Sequence, residues 1–171
     1  PSVVMETAYE ILFFWVARMI MMGLENMGEI PFHTVYLHGL IRDEHGVKMS
    51  KTRGNVLDPL EAIETYGTDA LRFALVSGNP PGNDSKSSAT KLESSRNFAN
   101  KLWNAARFVM MSFEGKETEL RGWSDPTATH RHDRWILSRL RRLTVRVNQL
   151  LEEFQFSEAQ RELHEFLWGE Y

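Results

Sequence analysis

Apolar and polar positions follow two different rhythms along this chain, and the change of rhythm divides it. Near the start, Val3-Val4-Met5 is a short apolar run of the kind that ends a buried strand. Thr7 and Glu10 then stand three apart, the spacing of a capping box. They predict a helix over 8–22, closed by Gly23. That helix is apolar nearly all round, which predicts burial on more than one side. Thr34-Val35-Tyr36-Leu37 is rich in strand formers and predicts a strand over 33–41. Strand, buried helix and strand in succession predict a βαβ unit with a parallel sheet. Asp43-Glu44-His45-Gly46 reads as a turn and 47–56 as a loop. Asp58-Pro59-x-Glu61 opens a helix that ends at Tyr66-Gly67. Thr68-Asp69 starts the next, with Ala70, Leu71, Phe73, Ala74 and Leu75 on its inner side.

The stretch 77–88 is rich in Gly, Pro and Ser and marks the best internal boundary. Beyond it the rhythm is helical. Leu92, Phe98, Leu102, Ala106 and Val109 predict one amphipathic helix of about 25 residues. The polar run 114–128 reads as a connection. Ile136, Leu140, Leu143, Val147 and Leu150 mark another helix, and Ser157-x-x-Gln160 caps a last one. The expected architecture is an α/β front half followed by an all-α portion, three helices that begin a bundle. Its expected divisions are 1–78, 79–128 and 129–171.

Composition changes this picture mainly by exclusion. With 42% hydrophobic and 25% charged residues the 171-residue chain suits a globular fold. A net charge of −3 excludes a uniformly basic nucleic-acid coat, so any such contact must come from local patches. The absence of cysteine excludes disulfides, thiolate metal sites and thiol nucleophiles. The apolar stretch 11–24 is short for a membrane span and carries Arg18. The chain starts at Pro1 and stops at Tyr171 inside an apolar helical pattern, which suggests a piece of a longer protein.

The candidate chemistry lies in Gly46-Val47-Lys48-Met49-Ser50-Lys51-Thr52-Arg53-Gly54-Asn55, a basic loop without acidic residues that follows a strand. Ligands of α/β sheets bind beyond the carboxyl ends of the strands. Lysines and hydroxyl donors in such a loop suit a polyphosphate, although a solvated surface turn has the same composition. The string Lys48-Met49-Ser50-Lys51-Thr52 resembles the KMSKS signature of class I aminoacyl-tRNA synthetases. Its frame matches as well: His38-Gly39 before it, Gly54-Asn55-Val56 and Asp58-Pro59 after it, then Tyr66-Gly67-x-Asp69-x-Leu71-Arg72. The strings 11–20, 36–40, Pro80-Pro81-Gly82-x-Asp84 and 96–108 are similar to the valyl-tRNA synthetase family. Thr52 stands where the signature has Ser, and Glu10 where Asp is usual. The family's His-x-Gly-His string does not occur in this chain.

The resemblance implies the C-terminal half of a Rossmann-like parallel sheet, joined to the start of an anticodon-binding helical bundle. It implies valine activation by ATP, with Mg²⁺ accompanying the nucleotide, then transfer to tRNA(Val), in the cytoplasm. Lys51, Lys48 and Ser50 would carry the catalytic role. Lys51, Met49, His38 and Gly39 would contact the nucleotide. No residue is expected to hold a metal. Ile11 and Trp15, one helical turn apart, would face the valine side chain, or be plain core residues. The rest of a synthetase chain is an implied partner, and a membrane is not.

Two further readings stay open at this point. His38 would touch the adenosine, or be satisfied by nearby backbone. Residues 131–147 hold six Arg and one Asp, whereas 149–171 hold six Glu and one Arg. Arg139, Arg142 and Arg146 share a helical face that would meet tRNA phosphates, or be ordinary charged surface. The alternatives to a valyl enzyme are an isoleucyl-type or other branched-chain relative, and a non-catalytic tRNA-binding module.

Overall fold

The computed structural model describes residues 2–115 and 130–171. The connection expected over 114–128 lies almost wholly outside them. Strands β1 (Ser2–Ala8) and β2 (Phe32–His38) run parallel, with Ser2 opposite Phe32 and Ala8 opposite His38. Between them lie a 3₁₀ turn (Tyr9–Ile11), a π-turn (Leu12–Val16) and helix α1 (Ala17–Met27). This is the expected βαβ unit, with three corrections.

The capping box does not form. Thr7 and Ala8 extend the strand ladder opposite Leu37 and His38, so the backbone is already committed. Glu10 turns instead toward Lys48. Gly23 does not end the helix. It lies inside α1, where an added Cβ would stand 3.0 Å from Pro31 Cδ, and the left-handed terminator is Gly28. Nor is the helical segment buried on several sides. Val16 is 1% exposed, but Phe13 is 82% exposed and Phe14, Trp15, Met21, Met22 and Met27 are also open. A two-stranded sheet is too narrow to cover more than one stripe of it.

Strand β3 (Ile41–Arg42) follows β2 after Gly39-Leu40. Helix α2 (Pro59–Tyr66) starts as expected, with the Asp58 carboxylate accepting from Leu60 N–H at 2.8 Å. Helix α3 is Thr68–Val76. Its Ala70, Leu71 and Ala74 are buried, whereas Leu75 is exposed. The stretch 77–88 is more than a link. Within it β4 (Ser85–Lys86) pairs parallel with β3, and Gly82 N–H reaches Leu37 O at 2.8 Å. The α/β section therefore continues past residue 78.

Helix α4 (Ala89–Ser112) begins at Ser88, whose hydroxyl accepts from Lys91 N–H. Leu92 at 2% exposure packs with Ala62, Leu71 and Ala74 as the first core. Helices α5 (Arg131–Glu152) and α6 (Phe156–Gly169) form a hairpin around Val147, Leu150 and Ala159. Helix α6 starts before Ser157, which is buried in its first turn and supplies no cap. Two aromatic seams join the hairpin to the front half. Tyr36 on β2 meets Phe154 and Phe156 at ring distances of 6.2 and 5.5 Å. Phe98 bridges Phe73 and His164 at 5.0 and 4.5 Å. The long helix thus packs on α3 rather than founding a three-helix bundle, and Trp103, Phe108 and Met110 on its second half are exposed.

Candidate functional site: a basic loop at the strand ends

The loop is built outward from Arg42. Its guanidinium binds Asp84 through Nε at 2.6 Å and donates to Gly46 O at 3.2 Å. Arg42 and Lys48 form an antiparallel bridge, so the loop leaves β3 and folds straight back beside it. Asp43 fixes the turn by accepting from Val47 N–H at 2.7 Å and His45 N–H at 3.1 Å. Gly46 takes the left-handed conformation that this reversal needs.

Asn55 closes the far side. Its amide donates to Asp43 at 2.8 Å, and its carbonyl accepts from Ser50 N–H at 2.9 Å. The Asn55 amide, then the Val47 N–H, hold the Asp43 carboxyl below its usual range, because both stabilise its charged form. Lys51–Arg53 makes one 3₁₀ turn ended by left-handed Gly54. At its start the hydroxyl of Ser50, the residue before the turn, lies 2.7 Å from that of Thr52. Thr52 thus supplies the hydroxyl expected of it.

The two lysines stand differently. Lys48 Nζ reaches both carboxylate oxygens of Glu10 at 2.8 Å. Lys51 is exposed, and its side chain has no hydrogen bond or ion pair among the described residues. A fixed root and an unpaired cation at the tip suit capture of an anion that arrives from solution. Among the described residues, no three His, Asp or Glu side chains gather as a metal ion would require.

His38 and Gly39 lie at the end of β2, on the wall of a cleft of about 320 Å³. Both ring nitrogens of His38 face oxygens: Nδ1 lies 2.8 Å from Gly39 O, and Nε2 lies 3.1 Å from Glu6 Oε1. Gly39 has a packing reason of its own. A Cβ there would sit 1.8 Å from the carbonyl oxygen of Asn83. Burial, then the nearby Glu6 charge, pushes the Tyr36 hydroxyl up from its ordinary value in the same cleft.

Ile11 immediately precedes the π-turn and Trp15 lies within it. Ile11 is half-buried, and Trp15 is 57% exposed. The sequence pattern did not reveal this turn, a form often found at functional sites.

The arginine face is turned toward α6. Arg139 pairs with Glu170, and Arg146 Nε lies 3.8 Å from Glu162. Arg142 lines the same groove with no ion pair among the described residues. The charge asymmetry of the sequence is therefore partly answered within the hairpin. Missed altogether were the Asp84–Arg42 and Glu10–Lys48 pairs. Asp84 stands in a string quoted for resemblance, but the string says nothing of its partner.

Residues 1–88 match the tRNA synthetases class I (I, L, M and V), and residues 133–171 match the anticodon-binding domain of tRNA ligases. The chain belongs to the class I tRNA synthetase family. It is 63% identical over its whole length to the valine–tRNA ligase of Dehalococcoides mccartyi strain CBDB1 and 51% identical to that of Symbiobacterium thermophilum. It spans 19% of the length of each of these relatives. Among solved structures, Mycobacterium tuberculosis methionyl-tRNA synthetase in complex with methionyl-adenylate is 26% identical, with a TM-score of 0.75 over 98% of this chain and 32% of that one. LeuRS of Agrobacterium radiobacter, solved with tRNA and LeuAMS, shares the fold at 20% identity, with a TM-score of 0.78 over 97% of this chain and 22% of that one.

Proposed function

We propose that this chain supplies the phosphate-handling part of a synthetase that activates valine with ATP and then esterifies tRNA(Val). In the first step a valine carboxylate oxygen attacks the α-phosphorus. The bond to the bridging oxygen breaks, and pyrophosphate leaves. In the second a terminal tRNA hydroxyl attacks the valyl carbonyl and AMP leaves. Neither step needs a covalent enzyme intermediate. The protein acts by positioning and by stabilising charge on the leaving phosphates.

The observation that carries the reading is Lys51: a cation unpaired among the described residues, on a 3₁₀ turn whose root is fixed by Asp43 and Asn55. Lys51 neutralises the leaving pyrophosphate, with Lys48 and the Ser50 hydroxyl assisting. Met49, His38 and Gly39 line the nucleotide. Mg²⁺ arrives bound to the phosphates, since it keeps most of its ligands as water and phosphate oxygen. Ile11 and Trp15 present the apolar surface for the valine side chain. Arg142, on the helical face it shares with Arg139 and Arg146, is the arginine left to meet tRNA phosphate, and the enzyme works in the cytoplasm. No helix among the described residues is long and apolar enough to cross a membrane.

The high identity to valine–tRNA ligases favours valine over isoleucine as the substrate. Amino-acid-dependent ATP–pyrophosphate exchange by the full-length synthetase carrying this chain is the test. Exchange with valine is expected. A preference for isoleucine would move the reading to the isoleucyl branch, and exchange with neither would leave a tRNA-binding module. The 171-residue chain alone should give no exchange, because it carries no His-x-Gly-His string.

A further inference from the structure

Helix α5 ends in a backbone conformation that its sequence does not favour. Gln155 N–H reaches Leu150 O at 2.8 Å, and Phe154 N–H reaches Leu151 O at 3.2 Å. These two bonds are the Schellman closure of a helix, in which the residue after the cap turns left-handed and is usually glycine. Here that residue is Phe154, with φ at 58°, and no other non-glycine among the described residues has a positive φ. A bulky side chain in that region is strained, and such strain persists only where the surrounding contacts over-determine it.

Those contacts are aromatic, and they cross to the α/β section. The Phe154 ring lies 6.2 Å from that of Tyr36 and 6.1 Å from that of Phe156, and Phe156 lies 5.5 Å from Tyr36, so the three rings close on one another. Tyr36 precedes His38 by two residues and shares its face of β2. Tyr36, His38, Gly39 and Phe156 line one cleft, whereas Phe154 is not part of its lining. The tip of the hairpin is therefore pinned beside the strand-end site. Its second anchor is His164 against Phe98, about 12 Å from Phe156 along α6. One seam alone would leave the hairpin free to swing about it. Two seams that far apart fix its angle.

We propose that Phe154 is a positioning residue for the transfer step: its ring sets the angle of the α5–α6 hairpin on β2, so that tRNA held by the hairpin brings its terminal hydroxyl to the strand-end site. This rests on the function proposed above. The left-handed turn is the means, because it aims the ring back across the hairpin tip at Tyr36 while the Schellman bonds keep α5 closed. Phe154 does not line the cleft, so it acts on how tRNA arrives and not on ATP or valine. Its loss leaves amino-acid activation intact and slows transfer.

The test uses the full-length synthetase carrying this chain, with Phe154→Gly and Phe154→Tyr. Glycine suits the left-handed position, so Phe154→Gly removes the ring and keeps the α5–α6 turn. Two rates are read. One is valine-dependent ATP–pyrophosphate exchange, which needs no tRNA. The other is single-turnover transfer of valine from enzyme-bound valyl-adenylate to saturating tRNA(Val). Phe154→Gly should slow transfer roughly ten- to a hundredfold, the scale of a misplacement of about 1 Å, and leave exchange unchanged. Phe154→Tyr keeps the ring and should transfer at the wild-type rate. A merely structural role for the ring would lower the melting temperature without separating the two rates. Transfer by Phe154→Gly at the wild-type rate would overturn the proposal. So would an equal loss of exchange and transfer, and so would a loss in Phe154→Tyr as large as in Phe154→Gly. Failure of the underlying function is distinct: the unsubstituted enzyme would then show no valine-dependent exchange, or no transfer to tRNA(Val).

Discussion

Asp84 ties the root of the basic loop to the last strand of the α/β section through Arg42. Its Oδ2 accepts from Arg42 Nε at 2.6 Å, and its Oδ1 accepts from Leu40 N–H at 2.8 Å. Arg42 in turn reaches Gly46 O inside the turn. The Leu40 N–H, then Arg42, hold the Asp84 carboxyl below its usual value of about 3.9, and Asp43 is held low by Asn55 and Val47. A carboxyl whose folded value is depressed contributes stability that is fully present above its unfolded value. That contribution is lost as pH falls through the folded value. The melting temperature should therefore be insensitive to these two groups above about pH 5 and should fall below about pH 4. Asp84→Asn with Asp43→Asn should flatten that fall. Parallel curves for wild type and double variant would show that neither carboxyl is linked to stability.

Gly39 tests how closely the segment before β4 approaches the end of β2. A Cβ would lie 1.8 Å from Asn83 O and 2.1 Å from the carbonyl carbon. The obstacle is backbone on both sides, so no side chain is free to swing away. Gly39→Ala should cost at least ~1–3 kcal/mol by overpacking, measured by thermal unfolding. At Gly28 the same substitution meets no atom within 4 Å, and the cost there is only that of a left-handed alanine, about 1–2 kcal/mol. Gly39 does not take the left-handed conformation, so an unchanged stability on Gly39→Ala would show that the approach of Asn83 does not fix this glycine.

Much of this fold was legible because local signals and tertiary contacts agreed. Asp58-Pro59 gave the start of α2, and the apolar spacing from Leu92 onward gave α4. Where they disagreed, tertiary contacts prevailed. Thr7 and Glu10 have capping-box spacing, but the strand ladder to Leu37 and the charge of Lys48 each took one member. Gly23 looked like a stop and is a point of contact with Pro31. The basic loop could be located from its residues, whereas its supports could not. Asp84 and Glu10 lie 42 and 38 residues from their partners, and neither spacing is periodic. Likewise the basic stretch 131–147 read as a face for tRNA phosphate or as ordinary charged surface, and the hairpin sets part of it against carboxylates of 149–171.

Lys51 carries the sharpest prediction about activity. It meets charge that develops as pyrophosphate leaves, so removing it should raise the barrier without loosening valine. In the full-length synthetase, Lys51→Ala should slow valine-dependent exchange by about two to three orders of magnitude, as loss of one oxyanion donor does elsewhere. The affinity for valine, measured by equilibrium binding, should hardly move. A rate within a factor of a few of wild type would remove Lys51 from the chemistry.

The last prediction separates the three arginines of the α5 face. Arg139 is committed to Glu170, and that pair holds the Glu170 carboxyl below its ordinary value. Arg146 lies near Glu162 and also donates to Gln149 at 3.3 Å. Arg142 has the same groove for surroundings but no ion pair of its own among the described residues. A cation already balanced by a neighbouring carboxylate releases few counterions when phosphate approaches, because its charge is partly spent. Arg142→Gln should therefore lower the slope of log affinity for tRNA against log salt by roughly 0.7–0.9, the value of one phosphate contact, and leave the melting temperature unchanged. Arg139→Gln should do the reverse: it frees the C-terminal end of α6 from α5 and lowers the melting temperature, with little effect on the slope. Filter binding at several salt concentrations, beside thermal unfolding of the same variants, reads both. A slope unchanged by Arg142→Gln would make the whole face a structural seam of the hairpin. An equal loss of slope from Arg139→Gln would mean that the pair with Glu170 opens when tRNA binds.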